Sequence, residues 1–143
     1  MLVFSADPAR IDRDRVHRWL SEESYWARGR SREKQEAAID GSRNYGVYEA
    51  AGQTGGGDVQ LGYARIVTDE ATFAWLCDVF VDASARGRGV GKMLIAGIVA
   101  DLEPLGLTRL ALATADAHGL YARYGFAPLA DPSMWMSRVA TAV

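Results

Sequence analysis

The sequence predicts an α+β fold in one domain over residues 1–143. Helix-like segments flank a strand-rich middle, and a long amphipathic pattern follows it. A chain of 143 residues, of which 49% are hydrophobic, is also the right size for one domain with a sizeable core. These observations favour helices and an antiparallel meander around a single sheet.

The N-terminal part of the chain reads as one strand and two helices. Apolar residues recur at helical spacing from residue 11 onward, and a polar connection with two aromatic residues follows. The second helix is expected to stop at Asp40 and Gly41, where glycine takes the left-handed cap. The predicted elements are a strand over 2–4, a helix over 11–20, a connection over 21–31 and a helix over 31–39.

Three strands are predicted in the middle of the chain. A glycine-rich hairpin loop over residues 52–58 separates the first two, and Asp69 and Glu70 turn the chain before the third. The third strand is almost continuously apolar, as expected for a central strand that is covered on both faces. The predicted strands span residues 45–50, 60–68 and 71–81.

Helices and strands alternate in the last part of the chain. An apolar stripe at four-residue spacing predicts a helix from Val90 to Leu102, which Pro104 and Gly106 end. The remaining predicted elements are a strand over 107–113, a helix over 116–124 and strands over 126–129 and 134–139.

Composition argues against several classes of protein. The formal net charge is −2, so the sequence carries no general nucleic-acid footprint. No stretch has the apolar length of a membrane span, and the first residues do not resemble a signal peptide. One cysteine, Cys77, and two histidines offer no internal disulfide and no metal-ligand spacing. We expect a cytoplasmic protein without a metal, and the abundant Ala, Gly and Arg suggest a bacterial source.

A turn rich in glycine and arginine lies between the third predicted strand and the next helix. Residues 86–92 read Arg-Gly-Arg-Gly-Val-Gly-Lys. Glycine allows a tight turn and lets backbone N–H groups approach a ligand. The helix start adds unpaired N–H groups and the positive end of its dipole, while Arg86, Arg88 and Lys92 add positive charge. The turn therefore favours a phosphate or a pyrophosphate.

Two other phosphate-binding patterns do not fit this turn. The Walker pattern needs glycine where Arg86 stands and serine or threonine where Met93 stands. The dinucleotide pattern Gly-x-Gly-x-x-Gly would end on Lys92 or on Leu94, depending on the glycine from which it is counted.

The signature R/Q-x-x-G-x-G/A does fit, as Arg86-Gly87-Arg88-Gly89-Val90-Gly91 between a strand and an amphipathic helix. On these residues the sequence resembles the GNAT superfamily of acyl-CoA-dependent N-acyltransferases. A second segment, residues 117–126, reads AHGLYARYGF and looks like the family's A-x-x-L-Y-x-x-x-G-F stretch. Together with the helix and strand that join them, the two motifs cover about the last half of the chain.

The resemblance implies a three-layer α/β/α sandwich whose mixed, mostly antiparallel central sheet is splayed near the acyl-CoA site. It also implies acetyl-CoA as cosubstrate, with the pyrophosphate on the turn and the pantetheine arm along the strand before it. Many family members carry Asn at the position of Thr114, whose hydroxyl can cap the next helix instead. The cofactor-binding residues implied are Val79, Phe80, Val81, Arg86, Gly87, Arg88, Gly89, Val90, Gly91, Lys92 and Thr114.

The resemblance points to Tyr121 as a catalytic residue, and Asp78 is a candidate base. Tyr121 matches the family tyrosine that commonly protonates the departing thiolate, and a phenol with a pKa of about 10 suits that leaving group. Its alternative role is packing, which is also expected of Tyr124. Asp78 lies in an apolar strand, where burial raises the pKa of a carboxyl and suits it to proton removal. The alternative is a structural carboxylate held by backbone amides or an arginine.

The connection after the first helix supplies the candidates for acceptor binding, because this region often shapes the acceptor pocket in the family. In this hypothesis Glu22 attracts a cationic amine while Tyr25 and Trp26 wall the pocket. The alternatives are a solvated acid and two aromatic anchors for helix packing. Cys77 is expected to be an inert buried thiol.

Three functions remain open at this point. The first is an acetyltransferase that acts on a small primary amine, and the second is one that acts on a protein or peptide. The third is a non-catalytic domain that senses acyl-CoA. The expected partners are acetyl-CoA and an amine acceptor, without nucleic acid or membrane, and a homodimer is consistent with the family.

Overall fold

A five-stranded sheet forms the centre of the molecule. The computed structural model describes residues 1–51 and 57–140, so most of the predicted hairpin loop lies outside the described residues. The strands lie in chain order; the first four pair antiparallel, and the fifth joins the fourth in parallel. The strands are β1 (Leu2–Ser5), β2 (Arg43–Glu49), β3 (Val59–Thr68), β4 (Phe73–Val81) and β5 (Arg109–Ala111).

Within the described residues, four α-helices surround the sheet: α1 (Arg13–Arg18), α2 (Arg32–Asp40), α3 (Val90–Leu102) and α4 (His118–Ala122). The predicted first helix begins two residues later than expected, because the side chain of Asp12 accepts the N–H of Arg15 as its cap. It continues through a π-helical turn, Trp19–Glu23, that the sequence did not predict. Short 3-10 turns complete the connections at Pro8–Arg10, Ala83–Ala85, Glu103–Leu105 and Pro132–Met134.

Two hydrophobic clusters cover opposite faces of the sheet and give three layers. On one face, Trp19 of the π-helical turn stacks on Phe80 of β4 with ring centroids 5.5 Å apart. On the other face, the predicted stripe of α3 packs on the sheet, and all four of its residues are buried: Val90, Leu94, Ile98 and Leu102. The fold class is confirmed, since this is a mixed, mostly antiparallel sheet between helices.

Strand β4 has an extra residue at the point where the sheet opens. Arg65 pairs with Cys77 and Tyr63 pairs with Phe80, so β4 advances three residues while β3 advances two. This is a β-bulge, and Asp78 within it has a φ of 55°, a left-handed conformation that aspartate tolerates better than most residues. Because β5 pairs only with 73–75 of β4, the outer edge of 76–81 is not covered by β5, and the sheet is splayed there.

The two last predicted strands are wrong for the chain as described. Residues 126–140 contain no strand, and several of their large apolar side chains are exposed. The pattern that suggested strands is present, but a strand forms only where a neighbouring backbone edge pairs with it. None of the helices in residues 1–51 and 57–140 has the length and apolar character that crossing a bilayer requires.

Candidate active site

The glycine turn (residues 86–92) connects the open end of β4 to α3. Gly87 and Gly89 have φ values of 84° and 82°, which glycine adopts without the clash that a Cβ causes. Gly89 is the N-cap of α3, and no side chain accepts the helix's first N–H groups. At α1 and α2, by contrast, the side chains of Asp12 and Ser31 fill this role. The start of α3 therefore presents unpaired N–H groups to a ligand.

The three positively charged side chains of this turn have different surroundings. Arg88 is paired, since its Nη2 donates to Oε2 of Glu49 at 2.9 Å. The guanidinium of Arg86 lies 5.7 Å from the ring centroid of Phe80, and Lys92 is exposed. Across residues 1–51 and 57–140, neither Arg86 nor Lys92 has a carboxylate within 4.0 Å, so both charges remain available to an anion on the turn.

Asp78 lies at the centre of a buried ion-pair cluster. Its Oδ2 accepts from Nη1 of Arg30 and from Nε of Arg65, each at 2.7 Å. Its Oδ1 accepts from Nε1 of Trp26 at 2.9 Å. The side chain of Asp78 is 1% exposed, so these donors replace the water that an ionised carboxylate otherwise needs.

These contacts correct the expected pKa of Asp78. Burial by itself raises the pKa of this carboxyl, but hydrogen bonds and charge from Arg30 and Arg65 outweigh burial and hold the pKa below its ordinary value. The carboxylate is thus ionised at neutral pH with its acceptor positions occupied. The geometry favours the second interpretation of Asp78, a structural carboxylate held by arginine.

Sequence reasoning missed Arg30 and Arg65 as members of this site. Arg65 lies on β3 beside the bulge, whereas Arg30 belongs to the connection before α2, where Nε2 of His17 contacts its carbonyl oxygen at 2.7 Å. The sequence did contain one indication of these partners, namely Asp78 itself, because a carboxylate inside an apolar strand requires a cation. The sequence pattern does not show which arginines contact this carboxylate.

The two aromatic residues of the connection form a wall beside the bulge. Tyr25 and Trp26 meet edge to face with ring centroids 4.9 Å apart. Trp26 is fixed by its hydrogen bond to Asp78, and the Tyr25 hydroxyl accepts the N–H of Ala115 at 3.0 Å. The wall thus joins β4 to the connection between β5 and α4, while Glu22 is exposed on the π-helical turn.

Tyr121 lies on α4 near this wall and is 7% exposed. Its ring meets Phe126 edge to face at 5.8 Å. Burial, with smaller contributions from Tyr25 and Asp116, raises the pKa of Tyr121 to about 12. The phenol is therefore protonated at neutral pH. Tyr124, by comparison, donates its hydroxyl to the carbonyl of Lys92 at 3.1 Å and so ties α4 to α3.

Two further candidates have local roles in the structure. The Thr114 hydroxyl accepts the N–H of Ala117 at 3.1 Å, so it caps the approach to α4. Burial raises the pKa of the Cys77 thiol to about 11, and this thiol is therefore a poor nucleophile at neutral pH.

A groove of about 710 Å³ opens beside Tyr121. Residues 109–114, within and after β5, line it together with residues 124–130, and Thr114 and Tyr121 belong to its surface. The groove is thus continuous with the predicted site on the side of α4.

Comparison with known proteins relates these features to a family. The model of the acetyltransferase (GNAT) family matches residues 13–126, which include the glycine turn and the aromatic candidates Tyr25, Trp26 and Tyr121. No curated protein sequence gives a significant match.

Solved structures share the fold. A protein from Xanthomonas campestris pv. campestris, assigned to the GNAT family as an acetyltransferase, is 40% identical, with a TM-score of 0.87 over 98% of this chain and 94% of that chain. Rv2747 from Mycobacterium tuberculosis, solved with CoA and NLQ, is 16% identical, with a TM-score of 0.68 over 89% of this chain and 72% of that chain. Glucosamine-6-phosphate N-acetyltransferase from Arabidopsis thaliana is 13% identical, with a TM-score of 0.67 over 97% and 98% of the two chains.

Proposed function

Because the chain belongs to the GNAT family of acetyltransferases, we propose that it transfers an acetyl group from acetyl-CoA to a primary amine of a small molecule. The neutral amine nitrogen attacks the thioester carbonyl directly, a C–N bond forms, the C–S bond breaks to release the thiolate, and the proton that the nitrogen loses passes to water. The observation that supports this most is the uncapped start of α3 beside the opening between β4 and β5. Residues 1–143 act as one cytoplasmic catalytic domain that uses no metal.

The glycine turn fits the pyrophosphate of acetyl-CoA. A Cβ placed at Gly87 or Gly89 would meet nothing within 4 Å, so the outer side of the turn is open to a ligand. The N–H groups at the start of α3 and the positive end of its dipole favour an anion there, and the free cations of Arg86 and Lys92 add to this. When bound, acetyl-CoA supplies the activated acetyl thioester.

The open edge of β4 is the proposed support for the pantetheine arm. Strand residues 76–81 lie beyond the pairing with β5, so their outer N–H and C=O groups are available for hydrogen bonds. The bulge at Asp78 turns the backbone locally and gives Val79, Phe80 and Val81 a different register from the first half of the strand. Thr114 lies on the opposite side of the opening, in the connection after β5.

Tyr121 is the proposed proton donor to the departing thiolate. It is buried beside the opening, and its raised pKa keeps the proton on the phenol until a basic acceptor arrives. Asp78 is assigned a positioning role instead of proton removal, since it orients Trp26 and neutralises one of two buried arginines.

The aromatic wall favours a small acceptor over a protein. A peptide needs an open groove across the sheet, whereas the hydrogen bond from the Ala115 N–H to the Tyr25 hydroxyl bridges one side of the opening. In this proposal the amine binds on the side of Trp26 and Tyr121, and the exposed carboxylate of Glu22 attracts its positive charge. Tyr121 also favours turnover over a sensor, because binding alone does not require a proton donor.

Two measurements test this function. Calorimetry is expected to show binding of acetyl-CoA, and thiol release is expected with at least one amine from a panel of amino acids, polyamines and amino sugars. If acetyl-CoA did not bind, the proposed function would be wrong. Tight binding of acetyl-CoA without thiol release from any acceptor would favour the sensor. Thiol release with peptides but with no small amine would favour the peptide acetyltransferase.

A further inference from the structure

The ion-pair cluster around Asp78 carries more positive charge than negative charge. The guanidinium groups of Arg30 and Arg65 share this one carboxylate, and each arginine side chain is only 16% exposed. Among residues 1–51 and 57–140, no other carboxylate lies within 4.0 Å of either guanidinium. Because arginine stays protonated in proteins, one positive charge is left over in a largely desolvated place. Such a charge is costly without a counter-ion, and it favours an anion supplied by a ligand.

The same cluster has more hydrogen-bond donors than acceptors. Nε of Arg65 donates to Oδ2 of Asp78 at 2.7 Å, and its Nη1 donates to the Ser42 hydroxyl at 3.2 Å. In the described part of the chain, Nη2 of Arg65 has no acceptor and is not fully buried, so it reaches solvent. Gln35 adds a second free donor: its Oε1 accepts from Arg30 at 3.1 Å, which leaves its buried Nε2 without an acceptor among these residues. The cluster therefore lacks an acceptor as well as a negative charge.

Arg65 lies beside the aromatic wall. Its Nε and the Nε1 of Trp26 donate to the two oxygens of the same carboxylate, that of Asp78. The guanidinium is therefore next to Trp26, which is 42% exposed and belongs to the proposed acceptor side of the cleft.

An open apolar surface adjoins this charge on the same face of the sheet. Two positions along β3 from Arg65, Val67 pairs with Trp75 of β4. Residues two apart on a strand share a face, and directly paired residues do so as well. Val67 and Trp75 are 43% and 37% exposed. They form the apolar floor (Val67 and Trp75), which can take an apolar group of a ligand.

We infer that the acceptor is an amino acid with a large apolar side chain, and that Arg65 binds its carboxylate. A carboxylate at Nη2 of Arg65 neutralises the excess charge and accepts the free N–H in a charge-assisted hydrogen bond. The apolar side chain of the acceptor covers the apolar floor. In an α-amino acid the amine is bonded to the carbon that carries the carboxylate, so the amine stays close to the bulge of β4, beside the strand edge proposed to support the pantetheine arm.

This inference rests on the proposed function and narrows its acceptor from small primary amines in general to one chemical class. Arg65 is assigned as a residue that binds and selects the acceptor, whereas Asp78 keeps its positioning role. The experiments below therefore measure the preference for a carboxylate separately from acetyl transfer.

The first test compares matched acceptors with the wild-type protein and acetyl-CoA. For thiol release, kcat/KM with phenylalanine is expected to exceed that with phenylalaninamide or phenethylamine by at least about tenfold, since both analogues lack the carboxylate that accepts from Arg65. Glycine, which cannot cover the apolar floor, is expected to be poorer than phenylalanine by at least about tenfold. Equal values for phenylalanine and its two neutral analogues would overturn the carboxylate site and leave acetyl transfer intact. An equal value for glycine would overturn the role of the floor.

The second test replaces Arg65 by Gln, which leaves Asp78 paired with Arg30. The KM for phenylalanine is expected to rise at least about tenfold, while the kcat/KM for phenethylamine and the dissociation constant of acetyl-CoA stay unchanged. The matched control is Arg43→Gln, because Arg43 pairs with Asp101 of α3 and thus lies on the other face of the sheet; it is expected to keep wild-type values for phenylalanine. Equal losses with phenylalanine and phenethylamine in Arg65→Gln would make Arg65 a structural residue only. Circular dichroism confirms that both variants fold.

The third test measures binding without turnover. In the presence of CoA, calorimetry is expected to show that N-acetylphenylalanine binds wild type at least about tenfold more tightly than N-acetylphenylalaninamide does. This preference in a protein that releases no thiol with any amine would support the carboxylate site and overturn acetyl transfer. Thiol release without this preference would overturn the carboxylate site alone.

Discussion

Nη1 of Arg30 lies 2.7 Å from Oδ2 of Asp78, and this ion pair joins the connection before α2 to the bulge in β4. The same carboxylate holds Arg65 and Trp26. Asp78 lies at the opening of the sheet, where a catalytic base was expected, but both of its carboxylate oxygens already accept hydrogen bonds from neighbouring side chains. Because this carboxylate also accepts the hydrogen bond of Trp26, the cluster fixes one residue of the aromatic wall, which we propose bounds the acceptor side of the cleft.

Replacing Asp78 by Asn is expected to destabilise the protein strongly. Two guanidinium groups, each on a side chain only 16% exposed, would lose their counter-charge, and breaking a buried pair in this way costs about 3–5 kcal/mol. Urea unfolding measures the free-energy change. The matched control is Asp58→Asn, which breaks the half-exposed pair with Arg10 and is expected to cost about 1 kcal/mol or less. Equal stability of the two variants would contradict the structural role of Asp78.

The ionisation of Asp78 also makes the stability of the folded protein depend on pH in a definite direction. The pKa of Asp78 is lower in the folded protein than in the unfolded chain, so the unfolded state binds the proton more readily. The stability contributed by Asp78 is then complete above about pH 4, near the unfolded pKa, and is lost as the pH falls through the folded pKa.

Urea midpoints measured from pH 7 down to pH 2 test this sign. Asp78→Asn is the comparison, because the variant lacks the part of the stability that Asp78 loses when it is protonated. A carboxyl with a raised pKa would show the opposite behaviour, because acidification would then stabilise the folded state relative to the variant.

Much of the fold follows from local patterns. The apolar stripe of α3, the long apolar run of β4 and the glycines that separate them are all visible in the sequence, and the structure has these elements at nearly the predicted positions. The family resemblance rests on the same stretch and is confirmed. These features are predictable because each depends on residues that are neighbours along the chain.

The remaining features depend on contacts between distant residues. The direction of the Asp78 pKa shift requires Arg30, which is 48 positions away, and no periodicity reveals that approach. The bulge depends on the register between β3 and β4. Likewise, the apolar pattern at 134–139 is typical of a strand, but whether a strand forms depends on which backbone edge receives it.

Replacing Gly89 by Ala is expected to weaken acetyl-CoA binding by at least about tenfold. The φ of 82° is costly for alanine, by about 1–2 kcal/mol, so the turn shifts and its N–H groups lose their alignment with the pyrophosphate. Calorimetry with acetyl-CoA measures the change. Gly106→Ala provides the control, because Gly106 also has a positive φ of 62° and open space at its Cβ, but it ends the turn after α3. The control is expected to lose similar stability with unchanged binding; equal binding in both variants would place the anion elsewhere.

Replacing Tyr121 by Phe tests the proton donor while it keeps the buried ring and its contact with Phe126. The kcat for thiol release is expected to fall about 10²- to 10⁴-fold, which is the usual contribution of a positioned acid, while the dissociation constant for acetyl-CoA stays the same. Because the pKa of Tyr121 is raised to about 12, its ionisation is not expected to lower the wild-type rate between pH 7 and pH 10.

The matched control for this variant is Tyr124→Phe, which removes a hydroxyl from the same short helix region but only a structural hydrogen bond to the Lys92 carbonyl. Its kcat is expected to remain within a few-fold of wild type, since losing one such hydrogen bond costs about 1 kcal/mol of stability and leaves the phenol of Tyr121 in place. If both variants kept full activity, Tyr121 would be a packing residue, and the thiolate would have to take its proton from solvent.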